Sequence, residues 1–199
     1  MNEDTRKLEE LVPQARAGDV DAFESLYRRH QAGIYTFLRS QVREAELAAD
    51  LTQQTFVRAW ESLARLRDPG AFPSWLHRIA LNLVRDEAKS GRARLEVVAT
   101  DVEGERTGAA AREAVARNPG PEQLVLSSEL RDRVWQALES VPAEQRAALV
   151  MHHMTGMSVT EIAEAMKVRP GTVMSRLARG RAALRKLLGS YVEAQDGQM

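Results

Sequence analysis

Residues 158–188 read SVTEIAEAM-KVRP-GTVMSRLARGRAALRKLL, and the rest of the chain is understood outward from them. Val159, Ile162, Ala163 and Met166 recur at the spacing of one helix face. Beyond the KVRP connection, Val173, Leu177, Gly180 and Leu184 do so again, because steps of three and four residues return to nearly the same angle at about 100° per residue. Half a turn from Val173 lie Gly171, Ser175, Ala178, Arg179, Ala182 and Lys186, a face that is small, polar and cationic. Lys167, Arg169, Arg176, Arg179, Arg181, Arg185 and Lys186 are seven basic residues, with no acidic residue between Lys167 and Lys186. Pro170 suits a first helical turn, where its missing N–H leaves no bond unmade. A basic amphipathic helix is more often a solvated surface helix than a DNA reader. Here the short connection and the unbroken basic run favour a helix-turn-helix whose second helix fits a DNA major groove.

Charge is distributed unevenly around that segment. The 199 residues hold 28 Lys and Arg against 28 Asp and Glu, yet residues 158–189 hold seven Lys and Arg against only Glu161 and Glu164. Such a local field serves phosphate contact without making the whole surface cationic. With no cysteine there is neither a disulfide framework nor a thiolate zinc site. His30, His77, His152 and His153 have no metal-ligand spacing with carboxylates, so no metal is expected. The chain has no phosphate-cradling glycine loop and no nucleophile–base pairing, so neither a cofactor nor an enzyme activity is expected. The amino terminus, MNEDTRKLEELV, lacks the apolar core of a signal peptide. No segment approaches the roughly 20 apolar residues of a membrane span, and the expectation is a cytoplasmic protein without stable membrane insertion.

Upstream, helical periodicity dominates and strand alternation is absent, which makes the fold class all-α: two small helical domains joined by a flexible linker, the second containing the helix-turn-helix. From Asp19, a good N-cap, a helix carries Phe23, Leu26, Tyr27, Ile34, Phe37 and Leu38. A second helix is predicted from about Glu44 to Leu66, with Leu47, Leu51, Phe56, Trp60 and Leu63 as apolar positions. Arg67-Asp68-Pro69-Gly70 is a turn, and a third helix is predicted from Phe72 to Ser90, burying Leu76, Ile79, Ala80 and Leu83. Residues 93–121 have few large apolar side chains and end in Asn-Pro-Gly-Pro, the composition of a mobile linker. Then Leu124, Leu126, Leu130, Val134, Trp135 and Leu138 begin a second helical unit. Pro142 precedes a helix with Arg146, Leu149, Val150 and Met154, stopped at Gly156. The expected division is an extension over 1–18, a first domain over 19–92, the linker over 93–121, a second domain over 122–189 and a tail over 190–199.

Taken together, three upstream runs and the C-terminal one resemble a known family. AFESLYRRHQAGIYTFL (22–38), AADLTQQTFVRAWESL (48–63) and SWLHRIALNLVRDEAK (74–89) look like the first conserved domain of bacterial sigma factors. VPAEQRAALVMHHMTGMSVTEIAEAMKVRPGTVMSRLARGRAAL (141–184) looks like their last. With only these two domains and a linker, the chain is similar to the extracytoplasmic-function (ECF) group of the sigma-70 family. The resemblance implies a promoter-specificity subunit that binds core RNA polymerase, recognises the −35 and −10 promoter elements, helps melt the DNA, and is held in check by an anti-sigma factor.

Individual residues take roles within that resemblance. Asp50, Gln53, Gln54 and Val57 share a mostly polar helix face, ordinarily a solvated one; in the family this segment docks on the clamp coiled-coil of the polymerase. Arg78, Asn82, Arg85 and Lys89 share a face of the third helix, near Trp75 and the turn holding Arg67. Cations track phosphate and an aromatic can stack on unpaired bases, so the resemblance implies −10 recognition and melting there. An isolated tryptophan in an amphipathic helix is usually core, which sets Trp75 below Asn82 and the cations as a site residue. On the last helix Met174, Ser175, Ala178 and Arg179 are candidates for −35 base edges, and Thr172, Arg176 and Arg181 for phosphate clamps. Arg179 has the guanidinium fork for bidentate guanine readout. Departures from the family pattern are Gly91 and Ala93 in a commonly arginine-dense run, Lys167 at a common glycine, Arg169 at a common capping residue and Met174 at a commonly basic position. The alternative is a stand-alone helix-turn-helix regulator, which would bind operator DNA without polymerase, commonly as a symmetric dimer.

Overall fold

The computed structural model describes the backbone of residues 3–98 and 128–196, and side-chain surroundings for residues 7–90 and 133–189. Most of the expected linker, from residue 99 onward, lies outside the described residues, as do Leu124, Leu126 and positions 197–199. Every long element among the described residues is a helix: α1 (Glu3–Arg16), α2 (Val20–Gln41), α3 (Ala45–Ser62), α4 (Phe72–Val98), α5 (Ser128–Glu139), α6 (Ala143–His153), α7 (Val159–Met166) and α8 (Pro170–Asp196).

Asp19 caps α2 as its sequence position suggests, its carboxylate accepting from the Ala22 N–H at 3.0 Å. The apolar stripe of α2 buries Leu26, Ile34, Phe37 and Leu38 against Leu51, Phe56 and Ala59 of α3 and Phe72, Leu76, Ala80 and Leu83 of α4. Each fully buried Leu or Phe contributes about 1.5–3 kcal/mol. Edge-to-face rings lock the α2–α3 seam, with Tyr27 4.7 Å from Phe56 and Phe23 4.9 Å from Trp60. Two hydroxyls buried in α3, Thr52 and Thr55, donate back to the Ala48 and Leu51 carbonyls at 2.7 Å, so neither is left unsatisfied.

Several boundaries differ from the sequence reading. The second helix ends at Ser62 and tightens into a 3-10 turn over Leu63–Arg65, instead of running to Leu66. The acidic amino terminus forms α1, which lies along α2 and buries Leu8, Val12 and Ala15, so residues placed outside the first domain contribute to its core. Both α4 and α8 continue past their expected ends, to Val98 and Asp196. Met154, expected within the helix after Pro142, is its exposed C-cap.

In the C-terminal unit α6 runs against α8, and α7 crosses onto α8. Val141, Ala148, Val150, Met151, Ile162 and Val173 are fully or almost fully buried there. Gly180 sits where α8 crosses α6: a Cβ at this position would lie 2.7 Å from Leu149 Cδ1 and 3.0 Å from its Cγ. The α5–α6 corner is held by Arg146, whose Nη1 donates to the carbonyls of Glu139 (2.9 Å) and Val141 (3.2 Å), satisfying helix-end acceptors.

The two helical units are not held apart. Helix α4 packs on α7, and α2 packs on α5 and α6. One continuous cluster of buried apolar residues runs through both units. Ser74 of α4 donates to Glu164 of α7 at 3.2 Å, a contact between positions 90 residues apart that local periodicity has no means of signalling.

Candidate nucleic-acid and partner interfaces

Helix α7 opens on a complete capping box. The Glu161 N–H donates to Ser158 Oγ at 3.2 Å, and the Glu161 carboxylate accepts from the Ser158 N–H at 2.8 Å. Its inner face buries Ile162, Ala163 and Met166, with Val159 half-buried. The turn closes through Lys167, which has φ 54° and ψ 48°, the left-handed region that favours glycine. Two bonds complete it, Lys167 N–H to the Glu164 carbonyl at 3.3 Å and Val168 N–H to the Ala163 carbonyl at 3.0 Å. Helix α8 then starts at Pro170, with the Arg169 carbonyl accepting from Thr172 N–H at 2.8 Å.

Rotation of α8 follows the sequence pattern. Val173, Leu177 and Gly180 face inward, and Leu184 is half-buried against the same core. Gly171, Met174, Ser175, Ala178, Arg179, Arg181, Ala182 and Lys186 are exposed, Met174 at 58 %. The outward stripe therefore offers an apolar thioether, a hydroxyl, a methyl and a guanidinium within about two turns, dimensions a major groove admits. Ser175 is turned back, its hydroxyl donating to the Thr172 carbonyl at 2.9 Å. Thr172 is half-buried.

Arg176 stands differently from its expected place as a free phosphate clamp. Its side chain is only 17 % exposed, with Nη1 3.1 Å from Glu144 Oε2 and 3.6 Å from Met166 Sδ. The pair with Glu144 is close enough for an ion pair but is not aligned as a hydrogen bond.

On α4, Asn82, Arg85 and Lys89 are exposed along one face and Arg78 is half-buried at its start. Arg85 Nη2 donates to Glu144 Oε1 at 3.2 Å. Arg67 is exposed in the preceding turn, which Asp68 shapes by accepting from the Gly70 N–H at 2.9 Å. Trp75 is not on that face. It is 8 % exposed and packs in the core with its ring 5.9 Å from Phe72, so in this arrangement it has no free surface for a base. The bland expectation for an isolated tryptophan describes it.

Next to Trp75, His77 points into the core. Its Nδ1–H donates to the Pro73 carbonyl at 2.9 Å and its ring meets Phe37 edge-on. Burial pushes its pKa down to about 4, outweighing the Pro73 carbonyl that favours the charged form. Burial, and then neighbouring Arg29, push His30 down to about 4 as well. Among the described residues, no group of three or more His, Asp or Glu is placed to hold a metal ion, and no helix is long and apolar enough to cross a membrane.

On α3, Asp50, Gln53, Gln54 and Val57 are all exposed. With Arg58 and Glu61 they line a shallow depression of about 380 Å³. Trp60, one of the apolar positions of this helix, is 39 % exposed beside this face and widens its apolar part. The face combines one carboxylate and two amides with Val57 and Trp60, the mixture of polar register and apolar area found at protein interfaces. The sequence reading missed Glu144, whose significance lies in partners 59 and 32 positions away on other helices.

Comparison with known proteins joins these faces. Residues 26–94 match the model of sigma-70 region 2, and residues 131–184 match that of sigma-70 region 4. The chain is 33 % identical over 177 residues to the ECF RNA polymerase sigma-E factor of Escherichia coli strain K12, covering 87 % of this chain and 90 % of that one. It belongs to the ECF group of the sigma-70 family.

Another ECF relative, SigE of Mycolicibacterium smegmatis, is 36 % identical over 171 residues, spanning 85 % of this chain and 63 % of that relative's length. Among solved structures, CnrH in complex with the cytosolic domain of CnrY superposes with a TM-score of 0.63 at 26 % identity, covering 90 % of this chain and 96 % of that one. Within this sigma-family frame, α3 and most of α2 and α4 fall in the region 2 match, and most of α5, all of α6 and α7 and the first half of α8 fall in the region 4 match.

Proposed function

We propose that the chain is an RNA polymerase sigma factor that binds core polymerase, recognises −35 and −10 promoter elements, and promotes melting of the downstream one. The observation that carries this reading is the order of two family regions, each presenting a face its own fold does not use: the α3 face in region 2 and the outward stripe of α8 in region 4. In this reading Asp50, Gln53, Gln54 and Val57, extended by Trp60, dock on polymerase. Arg67, Arg78, Asn82, Arg85 and Lys89 meet the −10 strand, whose phosphates and unpaired bases call for cations and amides. Met174, Ser175, Ala178 and Arg179 face −35 base edges, with Thr172 and Arg181 at the flanking phosphates. Met174 suits a thymine methyl and Arg179 a guanine edge.

A regulatory partner protein belongs to the same proposal. CnrH was solved with the cytosolic domain of CnrY bound, which supports a protein partner for this chain, and in the sigma-factor reading that partner is an anti-sigma factor. The chain works there by binding and positioning. Transcription from a promoter library, with core polymerase and with or without this protein, tests the proposal: it is expected to redirect initiation to a defined promoter class. A chain that binds duplex operators as a symmetric dimer and leaves core polymerase unaffected would instead be the stand-alone regulator.

A further inference from the structure

Glu144, in the first turn of α6, holds two guanidinium groups that come from opposite units. Its Oε1 accepts from Arg85 on α4 at 3.2 Å, and its Oε2 lies 3.1 Å from Arg176 on α8. Arg85 belongs to the outward cationic face of α4, and Arg176 to the helix that carries the basic run. A carboxylate hydrogen-bonded to one arginine through one oxygen and in ion-pair range of a second through the other neutralises both as a backbone phosphate would, since both are anions with paired oxygens. Around this clasp the units are already in contact through α4 on α7 and α2 on α6, with Ser74–Glu164 as a second polar link.

We propose that Glu144 is an internal phosphate surrogate: it latches the two units together and withholds Arg85 and Arg176 from DNA until nucleic-acid phosphate displaces it. The latch rests on the interdomain geometry alone, whereas its competition with DNA rests on the sigma-factor reading of Arg85. The side chains of Arg85 and Glu144 are 42 % and 45 % exposed. Ion pairs of that exposure are individually weak and screened by salt, which makes the latch reversible. The density of phosphate along a duplex then gives DNA the advantage over a single carboxylate.

The chain has no cysteine, so labels can be placed at will. Val20 at the start of α2 and Met154 just past the end of α6, 66 % and 47 % exposed, are suitable sites in the full-length protein. With Val20→Cys and Met154→Cys carrying spin labels, pulsed electron resonance should give one narrow distance at low salt. Glu144→Gln should broaden it to longer values, lowering the closed-to-open ratio roughly three- to tenfold. Raising salt from about 0.05 to 0.5 M should shift part of the Glu144 protein toward those longer distances and change the Gln variant far less. Glu144→Gln should also bind a non-promoter duplex roughly three- to tenfold more tightly at low salt.

An unchanged distance distribution in Glu144→Gln would overturn the latch. Should that variant fail to fold by circular dichroism, salt-insensitive distances in the unsubstituted protein would overturn it equally. Altered distances with unchanged DNA affinity would overturn the surrogate role. Failure in the polymerase transcription assay with the distance shifts intact would defeat the sigma reading and leave the latch standing.

Discussion

Replacing Gly180 with alanine sets two effects of opposite sign against each other. In the interior of α8 the exchange gains about 0.5–1 kcal/mol from helix propensity, because glycine gives up more backbone freedom on folding. Against this, the new Cβ would sit 2.7 Å from Leu149 Cδ1 and 3.0 Å from Cγ, well inside contact distance. Leu149 is itself 3 % exposed within the core, so moving its whole isobutyl group displaces further neighbours. Overpacking of this kind costs about 1–3 kcal/mol. The net expectation is a loss of about 1 kcal/mol, or a fall in melting temperature of roughly 2–4 °C for a chain of this size. Gly189→Ala is the internal comparison, since nothing lies within 4 Å of its Cβ position and only the propensity gain remains. Urea unfolding of the two variants beside the parent measures the difference. If Gly180→Ala is as stable as the parent or more so, the close α6–α8 crossing does not constrain that position and the reasoning fails.

Lys167→Gly should stabilise the protein by about 0.5–1 kcal/mol, because a non-glycine residue in the left-handed region bears about 1–2 kcal/mol, partly offset by the greater freedom of unfolded glycine; a lower melting temperature would contradict this. His30 and His77 have folded pKa values near 4 against 6.5 ordinarily, so between those values the unfolded chain binds more protons. Stability should therefore fall as pH drops from about 6.5 to 4, by at most about 3 kcal/mol per histidine, and His77→Gln should flatten the dependence in thermal melts across that range. Asp50→Arg with Gln54→Ala should abolish binding to core polymerase in a pull-down while leaving duplex DNA affinity intact; retained polymerase binding would remove the α3 face from the interface. Arg179→Ala should relax selectivity at one −35 position by about 1–3 kcal/mol, seen as a change in promoter preference, whereas an equal loss on every promoter would assign Arg179 to phosphate instead.

What the sequence reveals and what it hides divide along physical lines. The inward stripe of α8, the Asp19 cap and the helical character of both units follow from local periodicity and cap chemistry, and all are present. Residues 1–18, an extension by their polar composition, form α1 because Leu8, Val12 and Ala15 pack on α2, a tertiary effect that outweighs local preference. Past their expected ends α4 runs through GRARLEVV and α8 through GSYVEAQD, stretches without an apolar stripe to signal a helix, although the Arg, Ala and Leu of the first are good helix formers. For the sites, exposure of the α3 face and of the α8 stripe was readable from spacing. Arg176 departs from its expected place because its surroundings come from elsewhere in the chain: it is drawn to Glu144, 32 positions upstream, whereas Trp75 lies in the core against Phe72 of its own helix, as an isolated tryptophan ordinarily does. A carboxylate in the first turn of a helix looks like a favourable dipole partner, so nothing local marks Glu144 as a bridge between units.

The shared core has a bearing on how much working protein a cell has to hand. Two units joined only by ion pairs could separate freely in salt, but here separation must also expose part of a continuous apolar cluster to water, at about 25 cal/mol for each Å² uncovered. An opened chain standing alone would thus present sticky surface, a liability for self-association and for capture by quality-control proteases. Opening is safest as a hand-over, in which polymerase or another protein covers each face as the opposite unit leaves it. The scarce species is then the unaccompanied open chain, and the cell's supply of partners, more than its supply of this polypeptide, sets the amount in use.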